Sequence, residues 1–330
     1  MQNSLSLMKG FGWIILAAAS IAAPPLLANI YWTSVMNMIV INSLMAASLR
    51  TIFLIGEFSL GHVGFMCIGA YSSALLTMKA GLPFGITLPA AGLMAGLTAI
   101  LIGYPFMRVK GIYFVILTVV TSESFRLLAY NWRSLTGGTD GLIGFPGAGS
   151  LSIPGFAQID FTGFTEYYYL TLTVVSSSLF ILYRLEKSNL GFTWITIREA
   201  DKMASAVGIN VLKYKVINFS IACFFAGVGG ALLAHSEQTL SPQASSVFGV
   251  MTTIYFLVYM VVGGKSSFIG PIVGAIVLSF IMEFTRPMQE YQPMIIGAIA
   301  IAVVMLLPEG LASIPAKIDK WRAKSLNPLT

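Results

Sequence analysis

Apolar runs of membrane-crossing length follow one another through most of this chain, and short connections between them hold most of the charge. A helix needs about 20 predominantly apolar residues to cross a hydrocarbon core of about 30 Å. The runs fall at residues 33–55, interrupted by Arg50, then 60–77, 85–107, 111–130, 167–183, 216–235, 245–262, 267–284 and 291–307. An earlier run at 11–23 follows a polar stretch with Lys9 and precedes Pro24 and Pro25. It resembles a signal peptide with a small-residue site near Ala28. Lys9 places that end inside, however, and later runs carry their own insertion signals, so the run is expected to stay as the first span. The expectation is an all-α integral membrane protein of about ten spans with both termini cytoplasmic.

Composition supports this. Charged residues make up 10% and hydrophobic residues 56% of 330, against about 25% charged in soluble domains. Nearly all the length is spent on apolar runs, so residues 1–330 read as one membrane domain. The net charge of +6 is oriented against an anionic inner leaflet and membrane lipid. No aromatic-and-basic nucleic-acid motif is present, and no nucleic-acid partner is expected. Cys67 and Cys223 fall inside apolar runs and read as small core residues.

The longest charged, non-spanning segment is 184–215, RLEKSNLGFTWITIREADKMASAVGINVLKYK. Its Arg184, Lys187, Arg198, Lys202, Lys213 and Lys215 mark the cytoplasmic side. Within it, residues 194–207 fit a short helix. Ile195, Met203, Ala206 and Val207 share an apolar stripe, and Arg198, Glu199, Asp201 and Lys202 fall mostly on the other face. Gly208 is the expected stop, because a left-handed C-terminal position favours glycine. Such a helix is too short and too charged to span, so it lies along the surface or docks in a partner.

The other long connection, 131–165, carries one basic residue, Arg133, against Asp140 and Asp160, the asymmetry expected outside. Its TGGTDG stretch, with Gly137, Gly138 and Asp140, suits an outer gate, a docking surface, or a tight turn needing positive backbone torsions. The tail has Lys317, Lys320, Arg322 and Lys324, again an inner cluster. A weak internal repeat relates 56–76, with Gly61, His62 and Gly64, to 263–280, with Gly263 and Gly264. Glycine-interrupted segments repeated in two halves of a transporter point to the translocation path. Close packing of the GxxxG type, such as Gly270 with Gly274, is the simpler alternative.

No Walker A, HExxH or GxSxG motif occurs, and His62 and His235 are far apart in the expected topology. No catalytic, cofactor or metal site is expected. Ionisable residues near spans are the better leads. Glu123 with Arg126, and Glu283 with Arg286, are spaced for helical salt bridges. Arg50 and Glu57, at the inner end of one span, read as anchors to the membrane interface.

Several motifs in order, GEFSLGHVGFMCIGAYSSALL at 56–76, RVKGIYFVILTVV at 108–120, LTGGTDGL at 135–142, IREADKMASAVGIN at 197–210 and VVGGKSSFIGPIVGA at 261–275, resemble the M-type permease subunit of ABC importers for branched-chain amino acids. The resemblance covers most of the chain. It implies an ABC importer permease fold in two pseudo-repeated halves, and makes 184–215 the coupling loop that docks on an ATPase subunit, with Arg198, Glu199, Met203, Val207 and Gly208 as coupling residues. It implies path or gate roles for Gly61, His62, Gly64, Gly137, Gly138, Asp140, Gly263 and Gly264. It also implies two ABC ATPase subunits that bind the ATP, a second, H-type permease, a periplasmic substrate-binding protein and residence in the bacterial inner membrane, with 131–165 periplasmic. The segment departs from the wider permease pattern: Glu199 to Gly208 is longer than the usual spacing, and Asp201 stands where a second alanine is common. An ion-coupled secondary transporter is the competing reading, disfavoured because most span centres lack ionisable groups. Permeases for urea or small carboxylates are a further alternative.

Overall fold

The computed structural model describes residues 29–151, 159–161, 163–243 and 246–314. The expected first span at 11–23 and the basic tail lie outside them. Helices α1 (Ile30–Phe53), α2 (His62–Ala80), α3 (Phe84–Phe106), α4 (Ile112–Asn131), α5 (Phe164–Glu186), α6 (Asn189–Ala206), α7 (Val211–Glu237), α8 (Val250–Gly263), α9 (Gly270–Phe284) and α10 (Gln292–Leu306) follow in order. Among the described residues, seven helices are long and apolar enough to cross a membrane, α10 counted with its extension to Ser313. The apolar helices α8 and α9 are shorter. At 14 and 15 residues they reach about 21–23 Å, less than the full spans expected at 245–262 and 267–284. The shortening has local causes: Ser246 and Gly249 close a turn before α8, and the chain breaks at Gly264, φ +114°, before α9.

Caps explain several ends. The Asn29 side chain accepts from the Tyr31 amide at 3.0 Å and opens α1. The Asn210 side chain accepts from the Lys213 amide at 3.1 Å and opens α7. Gly81, in the left-handed region, closes α2 beside Lys79.

The core is built around α7, which packs on α3, α2 and α1, while α1 also meets α5 and α9. Backbones come this close because α7 carries glycine where it crosses its neighbours. A β-carbon at Gly69 would strike Gly227 of α7, and one at Gly230 would strike the Met66 carbonyl. Such crossings gain van der Waals contact, the force left to helices that have no water to escape. Outward, Leu93, Leu97 and Leu101 of α3 and Ile301, Met305 and Leu306 of α10 are exposed, as a face turned to hydrocarbon requires. Two-residue strands β1 (Leu142–Ile143), β2 (Ser150–Leu151), β3 (Ile159–Asp160) and β4 (Thr239–Leu240) pair antiparallel as β1 with β4 and β2 with β3. The register sets Leu142 against Leu240.

Side-chain contacts fix which connections share an end. The 54–61, 107–111, 264–269 and 307–310 connections gather around α6: Lys110 pairs with Asp201, Arg50 reaches the Lys265 carbonyl, and Gly310 presses on Gly264. The described parts of the 131–163 and 238–249 connections lie at the opposite end, where β1 meets β4.

Candidate functional site

Helix α6 begins at Asn189, earlier than position 194, because Ser188 sits at its cap in extended backbone. It bends at Ala200, whose φ of −153° and ψ of 72° are not helical. It stops where expected, since Gly208 has φ +86° and Ile209 bonds back to the Ala204 carbonyl at 3.0 Å.

Its apolar residues divide between two sides. Trp194, Ile197 and Ala204 are buried, whereas Ile195, Met203 and Val207 are exposed, Met203 at 73% and Val207 at 77%. Phe192 is exposed as well. The single apolar stripe read from the sequence is therefore the outward one. The face that locks α6 to the protein runs through Trp194, a residue outside that stripe.

The polar residues of α6 bound a cleft of about 450 Å³ with Ile55, Gly56, Glu57, Lys110 and Lys215. Lys110 pairs with Asp201 and holds its carboxyl below the ordinary aspartate range. Arg198 lies 3.3 Å from Glu199, and its guanidinium sits 5.1 Å from the centre of the Phe53 ring, a cation–π distance.

Two ion pairs with buried cations belong to this end of the bundle. Lys215 Nζ donates to Glu57 Oε1 at 2.8 Å, with both side chains under 10% exposed. Arg50, 3% exposed, donates from Nη1 and Nη2 to the two Glu186 carboxylate oxygens at 2.6 and 3.1 Å. These correct the reading of Arg50 and Glu57 as interface anchors, because both are buried and paired across the bundle. Attraction between unlike charges in a low-dielectric interior outweighs snorkelling towards water once each has a partner.

The remaining candidates are dispersed. His62 is buried, with Nε2 2.7 Å from Ser48 Oγ, and among the described residues its Nδ1 has no partner. A β-carbon at Gly61 would lie 2.6 Å from the Thr118 carbonyl oxygen, and one at Gly64 would lie 2.6 Å from Ser122 Cα, so both sit where α2 presses on α4. Gly263 abuts the Gly270 carbonyl. Gly56 and Gly264, both at positive φ, each precede by six residues the first residue of the next helix. The two related segments thus share a local geometry.

At the opposite end, Gly137 and Gly138 turn at positive φ into a short 3-10 segment ending at Asp140, and Gly137 presses on the Gly141 carbonyl. His235 Nδ1 donates to the Pro146 carbonyl at 3.2 Å, leaving Nε2 to accept from Ser73 Oγ at 2.9 Å. Arg126 pairs with Glu123 and donates to the Pro242 carbonyl at 2.6 Å. The spacing-based pair Glu283 and Arg286 forms at 3.1 Å, joined by the Tyr31 hydroxyl. Among the described residues, no three His, Cys, Asp or Glu side chains could share a metal ion.

The architecture is that of a multi-pass helical membrane protein to which one charged, kinked helix is joined by buried packing and ion pairs, with an apolar side left open. The chain belongs to the family of permease components of branched-chain amino acid transport systems, whose model matches residues 31–304. Over 274 residues it is 31% identical to LivM, the high-affinity branched-chain amino acid transport system permease protein of Escherichia coli (strain K12), covering 78% of this chain and 64% of that protein. It is 23% identical over 284 residues to LivH, the like-named permease protein of the same strain, covering 79% of this chain and 87% of that one. It is also 26% identical over 225 residues to the guanosine ABC transporter permease protein NupQ of Bacillus subtilis (strain 168), covering 59% and 67%. No solved structure matches the chain.

Proposed function

We propose that this chain is the membrane-spanning permease subunit of an ATP-driven importer for branched-chain or related amino acids, and that α6 is its coupling element. In this reading two separate ABC ATPase subunits bind and hydrolyse ATP. A second, homologous permease completes the pathway, and a periplasmic binding protein delivers the solute. The family membership supports the transport class, and the similarity to LivM supports the solute class.

One observation carries the role of α6. Ile195, Met203 and Val207 are exposed on a helix too charged to span, while its other side is locked by Trp194 and Ile197. Helix-in-groove docking uses such anchors, and Arg198 and Glu199 at the rim would tune orientation more than affinity. Gly208 lets the chain turn back into α7, so displacement of α6 reaches the bundle.

Orientation follows from charge. Of the described Lys and Arg residues, only Lys79, Arg126, Arg133 and Arg286 belong to the end away from α6, and the positive-inside bias supports a cytoplasmic α6 end. The 131–165 connection is then periplasmic, and the protein belongs to the inner membrane. Ionisable groups in the spanning helices lie near helix ends or, like Glu123 and Arg126, are already paired, which disfavours ion-coupled transport.

The test is Met203→Asp. Burying an unpaired carboxylate in a docking groove should abolish co-purification of the ATPase subunit or uncouple ATP hydrolysis from uptake, whereas Lys213→Ala should be mild. Normal association and coupling in Met203→Asp would make α6 only a connector.

A further inference from the structure

Among the buried charges at the α6 end, Arg50 is the one that bridges separate connections. It lies in the last turn of α1 and directs its guanidinium to two other parts of the chain. Two parallel bonds go to Glu186, the last residue of α5. Nε donates to the Lys265 carbonyl at 3.0 Å, and Nη2 lies 3.5 Å from the Ser266 carbonyl, both in the connection after Gly264. A planar fork of fixed donors makes this bridge; an ammonium on a flexible stem cannot keep the same three directions.

What Glu186 holds is α6 itself. The connection between α5 and α6 is short and tight: Ser188 Oγ donates to the Leu185 carbonyl at 2.6 Å, and a β-carbon at Gly191 would collide with the Glu186 carbonyl. The start of α6 therefore has no room to shift without carrying Glu186. Further along, α6 touches the same end of α1, where Arg198 lies against Phe53 and a β-carbon at Gly56 would stand 3.0 Å from Arg198 Cγ. Lys265 Nζ is 5.2 Å from the centre of that Phe53 ring. One guanidinium thus links the base of α6, the end of α1, which runs into the Gly56 turn, and the matching connection after Gly264.

We propose that Arg50 is a positioning residue for energy coupling. It makes the α5–α6 corner and the two glycine-turn connections move as one unit, so that displacement of α6 is delivered to both related segments together. The proposal rests on the reading of α6 as the docking helix. Its physical basis is that separating Arg50 from Glu186 would leave a buried charge unpaired, which is costly, whereas moving the elements together leaves the pair intact.

The experiment uses the complete importer, with both permeases, its ATPase subunits and its binding protein, in proteoliposomes supplied with leucine. The variants are Arg50→Lys, Glu186→Gln and the double variant Arg50→Met with Glu186→Leu. The double variant keeps the site filled without an unpaired charge, so it folds even where the single variants do not. ATPase-subunit retention, thermal midpoint and leucine taken up per ATP hydrolysed are measured in each. The expected result is normal retention with the uptake-to-hydrolysis ratio reduced about tenfold or more, the scale of one lost charge-assisted hydrogen bond. A merely structural pair would lower the thermal midpoint and leave that ratio unchanged. A wild-type ratio in the double variant overturns the proposal. Met203→Asp, assayed in parallel, separates the two claims: if it detaches the ATPase while the double variant stays coupled, the Arg50 proposal fails and the docking reading stands. If Met203→Asp changes nothing, the docking reading fails.

Discussion

The two ends of the bundle are held together by different means. At the α6 end the ties include two ion pairs whose cations are buried, Arg50 with Glu186 and Lys215 with Glu57, beside the more exposed Lys110 with Asp201, all joining elements far apart in sequence. At the opposite end they are mostly backbone: β1 paired with β4, the Gly144 amide on the Gln238 carbonyl at 3.0 Å, and single side chains such as Arg126 and His235 reaching carbonyls. The charged pairs there join i,i+3 neighbours rather than distant elements: Glu123 with the buried Arg126, and Glu283 with Arg286, whose side chain is 59% exposed. Buried charge pairs resist separation, whereas backbone pairing with an exposed ion pair tolerates local rearrangement. The first kind of tie suits an end that must pass on a displacement as a unit.

The contrast can be broken by mutation. The largest effect is expected for Arg50→Ala, which leaves the partly buried Glu186 charge unpaired and the Lys265 carbonyl without its donor. A loss of about 3–5 kcal/mol should appear as a sharp fall in thermal midpoint in detergent or as failure to accumulate; a change below about 1 kcal/mol would place this pair with exposed ones.

Gly141→Val comes next. Gly141 has φ +71° and presses on the Leu240 carbonyl, so a branched side chain meets both a torsional and a steric barrier. About 1–3 kcal/mol should be lost, and uptake should fall while the ATPase subunit remains bound. Full uptake would remove any special standing of this connection. The smallest effect belongs to Arg286→Ala, a solvent-screened pair whose contribution shrinks further at high salt. A larger, salt-insensitive loss would mean that this end, too, depends on charge.

What was legible in the sequence follows the range of the interactions. Local signals served well: the apolar runs foretold α1 to α5 and α7 to within a few residues at most ends, Gly208 foretold the end of α6, and i to i+3 spacing foretold the Glu283–Arg286 pair. Arg50 and Glu186 are 136 residues apart, and no periodicity relates them. Arg50 was legible only as a charge in an apolar run. Trp194 was missed for another reason: α6 is apolar on two sides, and periodicity cannot tell which one the protein keeps. The signal that could have helped was size, since a tryptophan on a short charged helix has most area to bury. The shortness of α8 and α9 was hidden because apolar residues continue into their flanking turns.

The central claim is that the open side of α6 faces the cytoplasm and is covered by an ATPase subunit, and a single cysteine at Met203 tests it most directly. Cys67 and Cys223 are buried, so labelling of Met203→Cys by a membrane-impermeant maleimide has little native background. The account predicts labelling only from the cytoplasmic side in the isolated permease, and protection once the ATPase subunits are bound. Labelling from the periplasmic side, or equal labelling with and without the ATPase, would contradict it.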